Sequence, residues 1–340
     1  MRVGIIGFGK MGMLHAGIVN AMADHEVVAI AEPAKLIGST IGLLQPNIKV
    51  YEDYKKMLDE AQLDAAIITT PVHMHVDMAL GCVEAGVPFF LEKPMCLSAE
   101  QAEPLVKALK EKPVINGVMW MMRYIETFRT AREIFDTGAL GKIINFNITM
   151  YVSQLFKPGK GWRYDKSKSG GGVIMGPTSH SIDLIYAFFG PMAGVNAYQI
   201  NHYSKTTEDF IHILFKTKDG VTGFLDSSWS VRGHRMVETT LKIHGENGML
   251  IVTDDGVRVL LDKEHGTYPE GWTVIQKPEV FQGVEFDIGG AQYTAENAAF
   301  LEAIAENKEL DHTAHDGYEV HRIIDAVYES AANNGNYVEL

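Results

Sequence analysis

Val3-Gly4-Ile5-Ile6-Gly7-Phe8-Gly9-Lys10-Met11-Gly12 runs a short apolar segment straight into a G-x-G-x-x-G string. With 33 glycines in 340 residues, such a string has roughly a one-in-three chance of occurring somewhere, but only about one in a thousand of falling at this place. Here it leaves the first apolar run and opens a helical stretch, Met11–Met22. In that setting each glycine has its own task. Gly7 permits a tight turn and Gly9 lets backbone approach a pyrophosphate. Gly12 lets helix and strand pack closely, with the positive helix end toward the anion. Phe8, Lys10 and Met11 complete the cradle. Glu32 ends the second apolar run, about 20 residues past Gly12, where a carboxylate accepts the adenine-ribose hydroxyls of NAD and repels the 2′-phosphate of NADP. Lys35 is the one nearby cation and no arginine follows, so NAD is favoured over NADP.

Outward from this loop, Val3–Ile6, Glu26–Ala31, Ala65–Thr69, Pro88–Leu91 and Val114–Val118 are short runs of Val, Ile, Ala or Phe, most of them separated by stretches of helical length. Continuous apolar strands alternating with helices predict a doubly wound parallel sheet, a Rossmann domain over residues 1–120. After about Met119 the rhythm changes. A helical stretch, Ile125–Gly138, precedes Ile143–Val152, Asp209–Lys216, Val221–Trp229 and Val237–His244, which have period-two character. Lys218-Asp219-Gly220 and Glu246-Asn247-Gly248 supply hairpin-type turns. Residues 121–340 are therefore expected to form an α+β domain with a large, mostly antiparallel open sheet, and a cleft between the domains is the expected ligand site.

Composition bounds the function. Thirty Lys and Arg against 43 Asp and Glu give a formal charge of −13, which argues against nucleic acid or an anionic membrane as partner. No apolar run reaches the roughly 18 residues that span a bilayer. Two cysteines, Cys82 and Cys96, exclude a disulfide scaffold or a cysteine-based zinc cluster and suit a reducing cytoplasm. No metal site is expected: His73 and His75 have no further ligands gathered near them.

The fourth apolar strand ends in Leu91-Glu92-Lys93-Pro94. Open α/β sheets bind ligands at the carboxyl ends of their strands, so Lys93 should point into the cofactor crevice. A lysine in a partly dry cleft beside a cationic nicotinamide titrates lower than usual and can move an alcohol proton.

Four pieces recur in this order in the Gfo/Idh/MocA oxidoreductases, which the chain resembles nearly end to end. They are the glycine loop, Thr69-Thr70-Pro71-Val72-His73-Met74-His75, Glu92-Lys93-Pro94, and Gly170-Gly171-Gly172 with the histidine that follows. Phe300-Leu301-Glu302-Ala303-Ile304 and Tyr328-Glu329-Ser330-Ala331 extend the likeness. The resemblance implies Lys93 as catalytic acid/base beside the nicotinamide ribose. It implies that Thr70, Pro71, His75 and Glu92 lie along the cofactor, and that a homodimer or homotetramer forms through the open sheet.

The family pattern is Gly-Gly-Gly, three residues, Asp, three residues, His, two residues, Asp. On it His180 matches the active-site histidine and Asp183 the later acid, while Gly176 stands where an aspartate is usual and Thr178 where a glycine is. A histidine near a helix N-terminus tends to stay neutral. Trp162 and Arg163 could offer a stacking platform and a hydroxyl-binding fork, and Arg123 is a further cleft candidate. Tyr164-Asp165-Lys166-Ser167-Lys168 spells the Y-x-x-x-K pair of short-chain dehydrogenases, but a run of three glycines begins two residues later and breaks the long helix that pair requires.

The expected function is an NAD(P)-dependent dehydrogenase acting on a secondary alcohol or ketone of a sugar, inositol or nucleotide-linked sugar. Lys93 and His180 would be catalytic, with Arg123, Trp162, Arg163, Thr178, His180 and Asp183 about the substrate. A non-catalytic dinucleotide-binding regulator, or a dehydrogenase of a diol, imine or tetrapyrrole, is the alternative that Gly176 keeps open.

Overall fold

The computed structural model describes residues 1–34, 38, 40, 45, 47–158 and 164–340. Its backbone contacts divide the chain into two units, Met1–Met121 with Val284–Tyr318, and Met122–Gly283 with Glu319–Leu340.

The first unit is built on β1 (Arg2–Ile6), β2 (Glu26–Ala31), β3 (Lys49–Tyr51), β4 (Ala65–Ile68), β5 (Phe89–Leu91) and β6 (Asn116–Val118). They pair in parallel in the order β3-β2-β1-β4-β5-β6. Strand order reverses between β1 and β4, the switch point at which such sheets bind ligands. Helices α1 (Lys10–Ala21), α2 (Tyr54–Glu60), α3 (His75–Ala85) and α4 (Ala99–Glu111) make the crossovers. Because helices cover the sheet, β4 and β5 are buried at every residue, which is why they read as unbroken apolar runs. A late segment completes this core. Phe300 stacks on Phe90 with ring centroids 4.8 Å apart, and Leu301 joins the same cluster of Val3, Ile5, Ile30 and Ile67.

The second unit holds nine strands: β7 (Ile143–Tyr151), β8 (Met192–Ile200), β9 (Phe210–Thr217), β10 (Thr222–Ser228), β11 (Glu238–Gly245), β12 (Gly248–Thr253), β13 (Gly256–Leu261), β14 (Gly271–Gln276) and β15 (Val338–Glu339). Their order is β14-β13-β12-β11-β7-β10-β9-β8-β15. Every pair is antiparallel except β7 with β10, which run parallel in the middle of the sheet. Alternation divides the two faces. Phe146, Ile148 and Met150 of β7 are buried, and Phe146 stacks on Phe189 at 4.1 Å. On the opposite face Tyr198, Leu214 and Phe224 are exposed. Helices α5 (Glu126–Asp136) and α6 (Ser179–Phe189) belong to this unit. Two more helices close the chain, α7 (Ala291–Glu306) and α8 (Ala314–Ala332). Among the described residues no helix is long and apolar enough to cross a membrane.

Candidate active site

The glycine loop leaves β1 as its spacing predicts. Gly7 sits at φ +89°, a conformation that side chains rarely adopt, and its N–H donates to Ala31 O at 2.9 Å. A Cβ on Gly12 would run into Gly7 O, so only glycine lets α1 begin this close to the strand. At Gly9, by contrast, a Cβ would meet nothing within 4 Å, and no acidic residue stands in the first turn of α1. An open glycine at an uncompensated positive helix end fits a pyrophosphate. Lys10 is exposed, and Phe8 and Met11 are half-buried beside it.

Glu32 is tied to this loop. Its Oε2 accepts the Phe8 N–H and its Oε1 the Ala34 N–H, both at 2.9 Å. The carboxylate is thus oriented by backbone donors while keeping acceptor capacity for ribose hydroxyls. Lys35 lies outside the described residues.

Thr69, Thr70 and Pro71 follow β4 along the same carboxyl edge, and Thr69 Oγ1 donates to Gly7 O at 2.7 Å. His75 is buried behind them. Its Nε2 lies 2.7 Å from Thr70 O and its Nδ1 3.0 Å from Pro94 O, so one ring spans the loops after β4 and β5. Burial lowers its pKa, although both carbonyls favour a proton on the ring. Its link to the cofactor edge is therefore through the two loops it fixes. Glu92 and the half-buried Lys93 leave β5 at this edge, with Glu92 N donating to Ile68 O, and the Lys93–Pro94 peptide is cis.

In the second unit the glycine triplet is packed around one acid. Glu208 Oε1 accepts from Gly172 N at 2.8 Å, Ile174 N at 3.0 Å and the Tyr328 hydroxyl at 3.0 Å. A Cβ on Gly172 would strike Glu208 O. Burial raises the Glu208 pKa against those donors, and burial beside Glu208 raises that of Tyr328 well above the ordinary phenol range. The chain then turns through Ile174–Thr178 as a π-helical turn broken at Gly176 (φ −79°, ψ −112°) and enters α6. π-turns inside helices are frequent at functional sites.

This turn presents His180, buried as the second residue of α6. Thr178 points elsewhere: it is fully buried and donates to Ser227 Oγ at 2.7 Å. Asp183 is also fully buried and takes a two-pronged grip from Arg123, Nε to Oδ2 at 2.9 Å and Nη2 to Oδ1 at 2.6 Å. The structure thus joins Arg123 to Asp183, and their charges neutralise each other. Trp162 and Arg163 lie outside the described residues. Lys168 belongs to a four-residue helix, Lys166–Ser169, which ends at Gly170 with φ +78°, so the Y-x-x-x-K arrangement has no long helix to stand on.

Several residues of these sites carry no motif. Trp229 lies against Gly176, whose Cβ would meet Trp229 Cζ3 at 3.2 Å, so an indole stands beside the position where the family pattern has a carboxylate. Glu208 precedes β9 with no cue beyond its charge. His15, three residues after the glycine string, is fully buried with its Nδ1 3.2 Å from Asn297 Oδ1, and it too carries no motif.

A parallel sheet whose carboxyl edge is furnished in this way defines a dinucleotide-binding protein, and comparison with known proteins sharpens the class. The oxidoreductase family's NAD-binding Rossmann fold matches residues 1–119, and the GFO/IDH/MocA C-terminal domain matches residues 128–251. The chain belongs to the Gfo/Idh/MocA oxidoreductase family and is an NAD(P)-dependent dehydrogenase. Levoglucosan dehydrogenase of Pseudarthrobacter phenanthrenivorans is 24% identical over 379 residues, covering 98% of this chain and 96% of that protein. The scyllo-inositol 2-dehydrogenase (NADP(+)) IolW of Bacillus subtilis is 26% identical and covers 97% and 94%. Among solved structures, levoglucosan dehydrogenase in complex with NADH has the same fold, with a TM-score of 0.88 over 100% of this chain and 98% of that one at 24% identity.

Proposed function

We propose that this protein oxidises a secondary alcohol of a cyclic sugar or inositol with NAD, and reduces the ketone in reverse, with Lys93 as the acid/base. The observation that carries this is the position of Lys93. It leaves β5 at the same sheet edge as the open Gly9 and the oriented Glu32, in a chain similar to dehydrogenases named for levoglucosan and scyllo-inositol.

Bound NAD supplies a hydride acceptor; the rest of the work belongs to side chains of this protein. The N–H groups opening α1 hold the pyrophosphate, and Glu32 takes the adenine-ribose hydroxyls and repels a 2′-phosphate. Lys93 Nζ takes the substrate hydroxyl proton as the carbon loses its hydride, and returns it in the reverse direction. His180, buried at the start of α6, holds the reacting oxygen through one hydrogen bond. The Trp229 indole occupies the room left by Gly176, which argues for a compact ring over a tetrapyrrole. We place Thr70, Pro71 and Glu92 along the cofactor, and Trp162 and Arg163 about the substrate. Thr178, Arg123 and Asp183 support that site from behind. The exposed Tyr198, Leu214 and Phe224 on the open sheet face favour a homodimer or homotetramer. The two buried free thiols suit a cytoplasmic setting.

The test is a panel of anhydrosugars, free sugars, inositols and nucleotide-linked sugars, read by NADH absorbance. Turnover of at least one cyclic polyol is expected. Tight NAD binding with no turnover across the panel would favour a regulator instead.

A further inference from the structure

The second unit contains a buried acid that hydride chemistry leaves without a part. Glu208, 3% exposed, faces the backbone that leads into α6, and three successive N–H groups of that backbone end on it. Gly172 N and Ile174 N donate to its Oε1 at 2.8 and 3.0 Å, and Val173 N donates to its main-chain O at 3.0 Å. The Tyr328 hydroxyl, from α8, donates to the same Oε1 at 3.0 Å. Two glycines make room for this packing: a Cβ on Gly171 would strike the Tyr328 hydroxyl, as one on Gly172 would strike Glu208 O.

The first N–H groups of a helical turn have no partner within it and must be satisfied from outside. Val173 gives the turn Ile174–Thr178 no side-chain cap of its own. Glu208 supplies the acceptors instead, from 34 residues further along the chain than Ile174. Gly176 N then donates back to Gly172 O at 3.0 Å and Thr178 N to Val173 O at 3.1 Å, so the residues that Glu208 holds are those on which the turn is built. Ser179 Oγ donates to Gly176 O at 2.9 Å, and His180 follows as the second residue of α6. Glu208 itself stands on a fixed base. Its neighbour Asp209, fully buried, accepts from His202 N at 2.6 Å and Ser204 N at 3.0 Å, and the Asp209 N–H donates to Ile200 O at 2.9 Å.

We propose that Glu208 is a positioning residue for His180: it anchors the turn that sets the His180 ring against the reacting oxygen. This role rests on the assignment of His180 to that oxygen. Gly176 makes an anchor necessary. It has no side chain to pack, and its ψ of −112° takes the chain off the helical path just before α6. The start of α6 therefore takes its direction from contacts on either side of the break, Glu208 before it and the Thr178–Ser227 bond after it. Buried behind the turn, Glu208 acts on the reaction only through where His180 stands. A misplacement of about 1 Å at a reacting group can cost about 10²-fold in rate.

Substitution separates anchoring from bulk stability. Glu208→Ala leaves the buried Gly172 and Ile174 N–H groups without their acceptor, whereas Glu208→Gln keeps an oxygen for both and for the Tyr328 hydroxyl. A residue that only held the fold together would lower the unfolding midpoint and leave the rate of the folded protein alone. A positioning residue slows the hydride step in folded protein, and only while His180 is present, because residues that act as a unit do not multiply their losses.

The experiment is single-turnover hydride transfer by the full chain with NAD and a cyclic polyol that it oxidises, beside NADH affinity and the urea midpoint of each variant. Glu208→Ala is expected to slow the hydride step by about 10–100-fold with NADH affinity within about threefold, and Glu208→Gln to stay within about threefold of wild type. Added to His180→Ala, Glu208→Ala should cost less than about threefold more. If Glu208→Ala does not fold, Tyr328→Phe, which removes one donor from Oε1, carries the test, with a loss of about 3–10-fold that vanishes in the His180→Ala background. Losses that multiply in the double variant, a Glu208→Gln as slow as Glu208→Ala, or a full-rate anchor variant beside a slow His180→Ala overturn the positioning role. A full-rate His180→Ala would be a different failure, that of the His180 assignment itself, and would take the anchor with it.

Discussion

Breaking the Arg123–Asp183 pair offers a sharp test of how the second unit is held together. The Asp183 side chain is 0% exposed and that of Arg123 10%, and two charge-assisted bonds of 2.9 and 2.6 Å join them. Removing one partner leaves the other charge in a dry site, a loss of about 3–5 kcal/mol. Replacing both by apolar side chains of similar volume removes the desolvation cost together with the attraction, and such swaps are often near neutral. Asp183→Asn and Arg123→Met are each expected to lower stability by about 3–5 kcal/mol. At about 2–4 °C per kcal/mol, that is a fall of roughly 6–20 °C in Tm. The double variant Arg123→Met/Asp183→Leu is expected to recover most of the loss. Thermal and urea unfolding followed by circular dichroism measures all three. A loss under about 1 kcal/mol in either single variant, or two losses that simply add, would refute a coupled buried pair and return both residues to the solvent-facing substrate site.

Three further outcomes follow from the same geometry. Glu32→Ala removes a brace from the loop and the repulsion toward a 2′-phosphate, so NAD affinity should fall by roughly tenfold or more and the NAD-over-NADP ratio should shrink, as measured by fluorescence titration of both reduced forms. Gly176→Asp should cost about 1–3 kcal/mol, read as a lower urea midpoint, because Trp229 Cζ3 stands 3.2 Å from the new Cβ; an unchanged midpoint would show that the indole yields freely. Burial pushes the Cys82 thiol up to about 12, so alkylation at pH 8 should modify it only after denaturation, and mass spectrometry of native protein should find it unmodified.

The first unit was legible in the sequence because a sheet covered on both faces leaves unbroken apolar runs. The five runs read there correspond to β1, β2, β4, β5 and β6. β3 escaped because Lys49-Val50-Tyr51 holds a charged residue and a single aliphatic one and so makes no apolar run. In the second unit the two glycine-containing turns join β9 to β10 and β11 to β12, as their chemistry predicts. The parallel pairing of β7 with β10 was not legible: the partners lie 77 residues apart, and no local turn encodes the pairing. The return of Phe300 to the first core is hidden for the same reason. Motif spacing put the glycine loop, Glu32 and Lys93 at the carboxyl ends of β1, β2 and β5, and at Gly7 and Gly12 backbone geometry itself demands the residue type. Spacing gave no warning that Asp183 spends its charge on Arg123, or that Glu208 and Glu296 are buried. Their partners come from distant segments, and only the folded chain brings them together.

The most direct test of the central claim is single-turnover hydride transfer by Lys93→Met with a cyclic polyol that the wild-type protein oxidises, set beside the NADH affinity of the same variant. Loss of the acid/base should slow the hydride step by about 10²–10⁴-fold while NADH still binds, and raising the pH should restore part of the rate as solvent base takes over. A variant that transfers hydride within about tenfold of wild type would show that the proton moves by another route.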